Sequence, residues 1–235
     1  MPKTRNFRYY DLFVAASVAT LIISNLGAMK LVAFGPIIAD GGAILFPLAY
    51  ILGDVMTEVY GYKHTRRAIW VSFTWLIIMI GVLTIVQHMP AVEGAPNVSE
   101  FDSVFGFVPR IVLASLAAYL VGEFLNSFVL AKMKVRSRGK HLWQRLVTST
   151  VLGEAVDTII FCLIAFYGLI SGSQMINYIL VGIVFKVAVE ILMLPVTYRI
   201  IHWLKSREHH DHFDVNTDFS PLRLGLDDSS TTTSK

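Results

Sequence analysis

The chain has 235 residues, of which 54% are hydrophobic and only 16% are charged, and its mean hydropathy is +0.59. About a quarter of the residues in a soluble domain are charged, so this composition argues against a soluble globular protein. The net charge of +3 comes from lysines and arginines in short loops, a distribution that does not suggest a nucleic-acid partner. The single cysteine, Cys162, excludes an internal disulfide framework.

Six apolar segments are long enough to cross the ~30 Å hydrocarbon layer of a bilayer as helices. They are Leu12–Met29, Ala43–Tyr60, Ala68–Met89, Pro109–Ala131, Leu146–Ile170 and Met175–Leu204. The connections between them are short, so we predict an all-α integral membrane protein with six transmembrane helices in one bundle. This six-helix transmembrane domain covers residues 1–205. The polar tail, residues 206–235, is expected to be solvated, and its histidines are not expected to bind a metal.

The segment between the first two helices carries two short apolar arms on either side of Ala39-Asp40-Gly41-Gly42, a turn signal. Residues 30–46 are too few to span the membrane. We therefore predict a short re-entrant or surface hairpin, which could cap a binding site. Irregular backbone at membrane depth is tolerated only where protein or a cavity surrounds it.

Lysines and arginines mark one side of the predicted bundle. They are concentrated before the first helix, in the second–third and fourth–fifth loops, and after the last helix. The opposite side carries only Lys30 and Arg110. The positive-inside rule therefore predicts a multi-pass protein of the inner or plasma membrane with both termini in the cytoplasm.

Three acidic side chains inside the apolar segments come directly after a glycine. The three pairs are Gly53-Asp54, Gly122-Glu123 and Gly153-Glu154, and the polar residues Thr57, Asn126 and Asp157 follow three positions after the acids. A charged side chain at the centre of a spanning helix costs at least ~2.5–3.5 kcal/mol. Such residues inside membrane segments indicate a functional site, here a path for a polar solute.

Helical spacing places further candidate residues on common faces. In the second helix Phe46, Tyr50, Asp54 and Glu58 follow one another at intervals of four. Two rings leading to two carboxylates suit a planar ligand with hydrogen-bond donors. Glu58 has a second interpretation, since it could simply mark the cytoplasmic end of the helix. The first helix adds Asn25 to a weakly polar stripe.

The later helices repeat this arrangement. The fourth carries Glu123 and Asn126, and the fifth places Glu154, Asp157 and Phe161 on one face.

The sixth helix contributes Lys186 and Glu190, one turn apart. They could pair with each other. Lysine before glutamate is the poorer orientation within a helix, so pairing across helices is also plausible. Six acids then oppose one lysine within or near the spans. Such a set cannot remain fully ionised in a low-dielectric medium without protons or cations. The set predicts a polar cavity that binds a donor-rich or cationic solute.

Four segments resemble the queuosine precursor transporter family. They are FPLAY at 46–50, VGEFLNSF at 121–128, EAVDT at 154–158, and FSP at 219–221 in the tail. The resemblance implies import of 7-cyano-7-deazaguanine or 7-aminomethyl-7-deazaguanine, salvaged to make queuosine in tRNA. It suggests Asp157 or Glu154 for the donor edge of the base, Phe161, Phe46 or Tyr50 for stacking, and Asn126 for the carbonyl side. It implies no cofactor and no enzymatic activity.

Two alternatives stay open at this point. Six helices and the small-residue segment Ala15-x-x-x-Ala19 also resemble the substrate-binding S-components of energy-coupling transport complexes, so an energising partner or a homodimer is conceivable. An intramembrane hydrolase is disfavoured, because the spans lack H-E-x-x-H, G-x-S-x-G and Walker motifs.

Overall fold

A computed structural model of the chain describes residues 7–28, 30–34, 37–92, 96–105, 109–168 and 171–223. The helices are α1 Tyr10–Gly27, α2 Phe46–Tyr60, α3 Tyr62–Gln87, α4 Val98–Phe105, α5 Pro109–Arg136, α6 Leu142–Phe166 and α7 Gly172–Glu208. Two short strands, β1 Leu31–Phe34 and β2 Ile37–Asp40, lie between α1 and α2. The prediction of an all-α membrane protein is confirmed.

Five of these helices are long and apolar enough to cross a membrane: α1, α3, α5, α6 and α7. The helix α2 has only 15 residues, so the number of six spans remains a prediction. Large apolar side chains are exposed along α3 and α7, for example Trp75, Val82, Val184 and Leu192. An exposed apolar surface of this extent is typical of a protein that faces lipid.

The short helix α2 lies at the centre of the bundle, where it contacts α1, α3, α5 and α7. Every residue from Ile51 to Tyr60 is buried. A proline in its first turn, Pro47, favours the helix start because its missing N–H would have no intrahelical partner there. The helix ends at Gly61, whose φ of +83° suits glycine. The predicted polar face of α2 is therefore enclosed by protein.

The predicted hairpin is an antiparallel pair of strands, with Leu31 opposite Asp40 and Phe34 opposite Ile37. Its base is tied to α1, because the hydroxyl of Ser24 donates to the carbonyl of Gly42 over 3.2 Å. The hairpin lies at the end of α1 opposite the chain termini. The side chains of most hairpin residues, and that of Phe46, lie outside the described part of the chain.

Both described ends of the chain meet at the same end of the bundle, which we call the terminal end. The backbone amides of Arg8 and Tyr9 donate to the carboxylate of Glu208 over 3.1 and 2.8 Å. The α2–α3 junction at Gly61 lies at this end, where the tail passes over it. The loops that carry the clustered lysines and arginines lie at this same end.

The tail does not remain in solvent after α7. Residues 209–223, which we call the tail strap, lie across the start of α3. The amide of His212 donates to the carbonyl of Val59 over 3.2 Å. Asp214 accepts the amide of Tyr62 over 3.1 Å, and Arg66 donates to two carbonyls of the strap over 2.8 and 2.6 Å.

Aromatic contacts hold the far end of the tail strap. Phe219 packs against Tyr62 with ring centroids 4.9 Å apart, and the ammonium of Lys132 lies 4.1 Å from the centroid of the Phe219 ring. The indole of Trp70 donates to the carbonyl of Pro221 over 2.7 Å. The expectation of a solvated tail is therefore wrong as far as Arg223, because the strap supplies acceptors to unpaired donors of α3.

Candidate functional site

Five acids predicted from the sequence lie around α2 in the interior of the bundle. We call them the central acid group: Asp54 on α2, Glu123 on α5, Glu154 and Asp157 on α6, and Glu190 on α7. Asp54, Glu154 and Glu190 are buried, whereas Glu123 and Asp157 are partly accessible. Four separate helices thus bring their carboxylates to one place.

Lys186 joins two of these acids across the α6–α7 interface. Its Nζ lies 2.7 Å from Oε2 of Glu154 and 2.8 Å from Oδ2 of Asp157. The spacing of three residues on α6 puts both carboxylates on the face that meets α7. The lysine therefore pairs across helices, and one ammonium serves two carboxylates.

Asp54 is held by two other helices. The amide nitrogen of Asn126, on α5, donates to Oδ1 of Asp54 over 3.0 Å, and the carboxyl group of Asp54 lies next to that of Glu190 on α7. Two carboxyl groups in such contact need a shared proton or a cation. The oxygen of the Asn126 amide is buried and has no hydrogen-bond partner among the described residues.

The aromatic candidates Tyr50 and Phe161 make different kinds of contact. Tyr50, one turn before Asp54, donates its hydroxyl to Glu154 and so links α2 to α6. Phe161 is half-buried one turn beyond Asp157, and its ring packs edge-on against Phe166 with centroids 5.7 Å apart. One ring therefore contacts the acids directly through its hydroxyl.

Glu123, on α5, lies against Gly53 of α2. Its carboxylate covers Gly53, where any β-carbon would collide with it. It faces a small cavity of about 30 Å³ whose polar lining includes Ser17, Ser72 and Tyr119. A cavity of this size holds about one or two water molecules. The sequence does not single out Ser72 as a site residue, because one hydroxyl in an apolar helix is weak evidence of a binding site.

Glu58 is not part of the central acid group. Arg145 binds it in a bidentate manner, with distances of 2.5 and 3.2 Å. Lys205 approaches Oε1 of Glu58 to 2.7 Å and Lys134 approaches it to 3.5 Å. Together with Asp211, these residues form what we call the terminal ion cluster. The structure thus places Glu58 at the helix end that its second interpretation described.

The terminal ion cluster also receives the tail strap. Asp211 pairs with Lys134 and, over 2.9 Å, with Lys205. Burial disfavours the ionised carboxyl, but hydrogen bonds from the two lysines outweigh it and hold the pKa of Asp211 below its ordinary value. The sequence does not single out Lys134, Arg145 and Lys205 as partners of Glu58, because positive charges near helix ends are expected from the positive-inside rule alone.

The hydrogen bonds of Asn25 do not involve the central acid group. Its amide nitrogen donates to the carbonyl of Leu21 over 2.9 Å, within α1. Its amide oxygen accepts the hydroxyl of Ser115 over 3.2 Å. These hydrogen bonds tie α1 to α5.

The chain is similar to known transporters. A family described as putative vitamin uptake transporter matches residues 40–200. A probable queuosine precursor transporter of Bacillus subtilis is 27% identical over 83% of this chain and 85% of its own. A queuosine precursor transporter of Escherichia coli is 24% identical over 74% of this chain and 78% of its own.

A third relative, a probable queuosine precursor transporter of Haemophilus influenzae, is 26% identical over 77% of this chain and 75% of its own. No solved structure matches the chain. The matched region of the family, residues 40–200, contains all five members of the central acid group and Lys186.

Proposed function

Because the chain belongs to the putative vitamin uptake transporter family, we propose that it imports 7-deazaguanine precursors of queuosine through the central acid group. The substrates are 7-cyano-7-deazaguanine, 7-aminomethyl-7-deazaguanine or both, for salvage into tRNA. The protein is a multi-pass membrane transporter, as its relatives are, and not an enzyme. The proposal concerns its substrate, its binding residues and its direction.

The observation that carries this proposal is the pairing of Glu154 and Asp157 with one lysine. A guanine-type base presents a ring N–H and an exocyclic amine side by side, and these donors match the two oxygens of a carboxylate. Asp157 retains 24% of its side-chain exposure, against 6% for Glu154. Asp157 is therefore the acid that a base can reach first, and Glu154 supports it.

The contacts of Asn126 extend the role suggested by the family resemblance. One N–H of its NH₂ group is donated to Oδ1 of Asp54, and the second N–H is left to meet the carbonyl of a base. The amide oxygen of Asn126 is a buried acceptor without a partner among the described residues. In the proposed complex Asn126 accepts a hydrogen bond from a base N–H, which would satisfy that oxygen.

Stacking residues complete the proposed site. Base-binding pockets commonly combine edge contacts with stacking on aromatic rings. Tyr50 is already bonded to Glu154, and Phe161 follows Asp157 by one turn on α6. We assign the flat face of the base to these two rings.

The orientation of transport follows from the distribution of charge. The terminal end carries Lys134, Arg145 and Lys205, together with both described chain ends. We propose that this end faces the cytoplasm, in accord with the positive-inside rule. Substrate would then enter from the hairpin side and leave at the terminal end.

Uptake of labelled precursor tests the proposal in a cell that lacks both queuosine synthesis and its own transporter. Asp157→Asn should lower uptake at least about tenfold, because it removes a charge-assisted hydrogen bond worth ~1.5–3 kcal/mol. Asp102→Asn is the matched control, since Asp102 is exposed on α4. Wild-type uptake by an inserted, folded Asp157→Asn protein would reject the assignment.

A second candidate function is that of a substrate-binding subunit in an energy-coupling complex. An apolar groove of about 540 Å³ runs between α1 and α3, and Ala15, Ala19 and Trp75 line it. Small residues of this kind permit close approach of a partner helix. Uptake by the purified chain alone in liposomes would argue against an obligatory partner.

A further inference from the structure

We propose that Lys186 determines the charge preference of the transport site, by competing with cationic bases for Glu154 and Asp157. This inference rests on the proposed function and names a specificity residue for it. The ammonium of Lys186 already neutralises part of the negative charge that would attract an aminomethyl cation. A neutral base such as the cyano compound meets no such competition.

The geometry supports competition rather than simple exclusion. Lys186 approaches one oxygen of each carboxylate, Oε2 of Glu154 and Oδ2 of Asp157. A carboxylate has about four lone-pair positions, so each acid can accept further hydrogen bonds while the lysine stays in place. The donor edge of either base can therefore bind beside Lys186, and the two compounds differ only in whether the 7-substituent adds a positive charge to a site that already holds the ammonium of Lys186.

The ion pair of Lys186 with Asp157 is also more accessible than the buried pair of Glu58 and Arg145. The side chain of Lys186 is 15% exposed and that of Asp157 is 24% exposed. In the terminal ion cluster Glu58 and Arg145 are 1% and 2% exposed. A lysine ammonium on a flexible stem has no fixed planar geometry and can move away from its partners, unlike the bidentate guanidinium of Arg145.

The local charge shows the direction of the effect. With Lys186 in place, it and its two acid partners carry one negative charge when all are ionised. Without the lysine charge the same group carries two negative charges, and an amine-bearing base becomes favoured. Lys186 is the only basic residue of α7 before Arg199, so no neighbour on that helix replaces it.

Competition binding to purified protein in detergent or nanodiscs tests this proposal. The measured quantity is the ratio of Kd values for 7-aminomethyl- and 7-cyano-7-deazaguanine. Lys186→Gln should shift this ratio about tenfold or more toward the aminomethyl compound, because two carboxylates are then left without their cation and attract the amine. Lys186→Arg, which keeps the charge, should leave the ratio near that of the wild type.

Glu154→Gln provides the opposite change. It removes one negative charge while the lysine stays, so the ratio should move toward the cyano compound. Both ligands are measured on the same folded molecules, and loss of some folded protein therefore cancels from the ratio. Opposite shifts in the two variants support the proposal. Unchanged ratios, or shifts in the same direction, overturn it. If neither base binds the wild-type protein, the proposed function itself fails.

Discussion

Gly122 and Gly153 face each other across the interface of α5 and α6. A β-carbon on Gly122 would lie 3.1 Å from the carbonyl oxygen of Gly153, and one on Gly153 would lie 3.0 Å from that of Gly122. The same added atoms would lie 2.8 and 2.9 Å from the β-carbons of Asp157 and Asn126. Each glycine therefore allows the opposite backbone to approach, and the close contact sets the positions of polar residues in the candidate site.

Replacement of either glycine by alanine should destabilise this interface. Gly122→Ala and Gly153→Ala each force backbone and β-carbon atoms apart, and such overpacking typically costs ~1–3 kcal/mol. We expect a lower Tm for both variants in detergent, together with weaker binding of substrate. Gly81→Ala is the control, because a β-carbon there meets no atom within 4 Å. An unchanged Tm in both interface variants would contradict the close-contact argument.

Glu58→Gln should be among the most destabilising single substitutions of a charged residue. Glu58 lies among Lys134, Arg145 and Lys205, and the first two of these cations are almost fully buried. Removal of one partner from a buried ion pair typically costs ~3–5 kcal/mol, since the remaining charge is left without compensation. Thermal unfolding of the purified protein measures the loss.

The exposed pair of Asp218 and Arg223 offers a matched comparison for Glu58. These side chains are 48% and 43% exposed, and their charges lie 2.7 Å apart. Ion pairs in such positions contribute ~0–1 kcal/mol. Asp218→Asn should therefore change Tm little. A Glu58→Gln protein as stable as Asp218→Asn would show that the terminal ion cluster contributes nothing to the fold.

The sequence was sufficient to predict those residues of the candidate site that are charged although they lie in membrane-spanning segments. Asp54, Glu154, Asp157 and Glu190 stand out as carboxylates in apolar runs, and the structure brings them together. Lys186 stands out for the same reason. The choice between an intrahelical and an interhelical partner for Lys186 depends on how α6 and α7 pack, which helical spacing alone does not determine.

The terminal end could not be predicted in the same way. Polar residues are expected in loops and tails. Nothing in the sequence around Lys134 or Asp214 therefore distinguishes these residues from solvated ones. Their roles depend on contacts between segments about 80 to 150 positions apart, such as that of Asp214 with Tyr62. Charge and hydropathy patterns carry no information about such pairings.

Asp214 should make the stability of the protein depend on pH in the acidic range. Burial opposes its ionisation, but hydrogen bonds from His212, the Tyr62 amide and Thr217 hold the pKa of Asp214 below its ordinary value. The N-cap of α3 is Gly61, which has no side chain to supply this acceptor. Asp214 therefore acts as a cap from the tail strap.

The sign follows from the lowered pKa. Because the folded protein holds the ionised form, the stabilisation is complete above the unfolded pKa of ~4 and is lost as pH falls through the lower folded value. The Tm of the wild type should therefore exceed that of Asp214→Asn at pH 7, by an amount corresponding to ~0.5–2 kcal/mol. The difference should shrink from pH 5 toward pH 3. A constant difference over this range would show that the charge of Asp214 does not stabilise the strap.

Variants of Asn126 test whether its hydrogen bond to Asp54 matters for stability and transport, apart from the space that its side chain fills on α5. Asn126→Ala removes the donor to Oδ1 of Asp54 and leaves a buried oxygen unpaired, at a cost of ~1–3 kcal/mol. Asn126→Asp keeps the size but adds a carboxylate next to Asp54 and Glu190, so like-charge repulsion should make it the more damaging change. Gln144→Ala, at an exposed position of α6, should have little effect. Thermal unfolding and precursor uptake together measure the series. If Asn126→Asp matched the wild type in both, the hydrogen bond from Asn126 to Asp54 would not be important for the site.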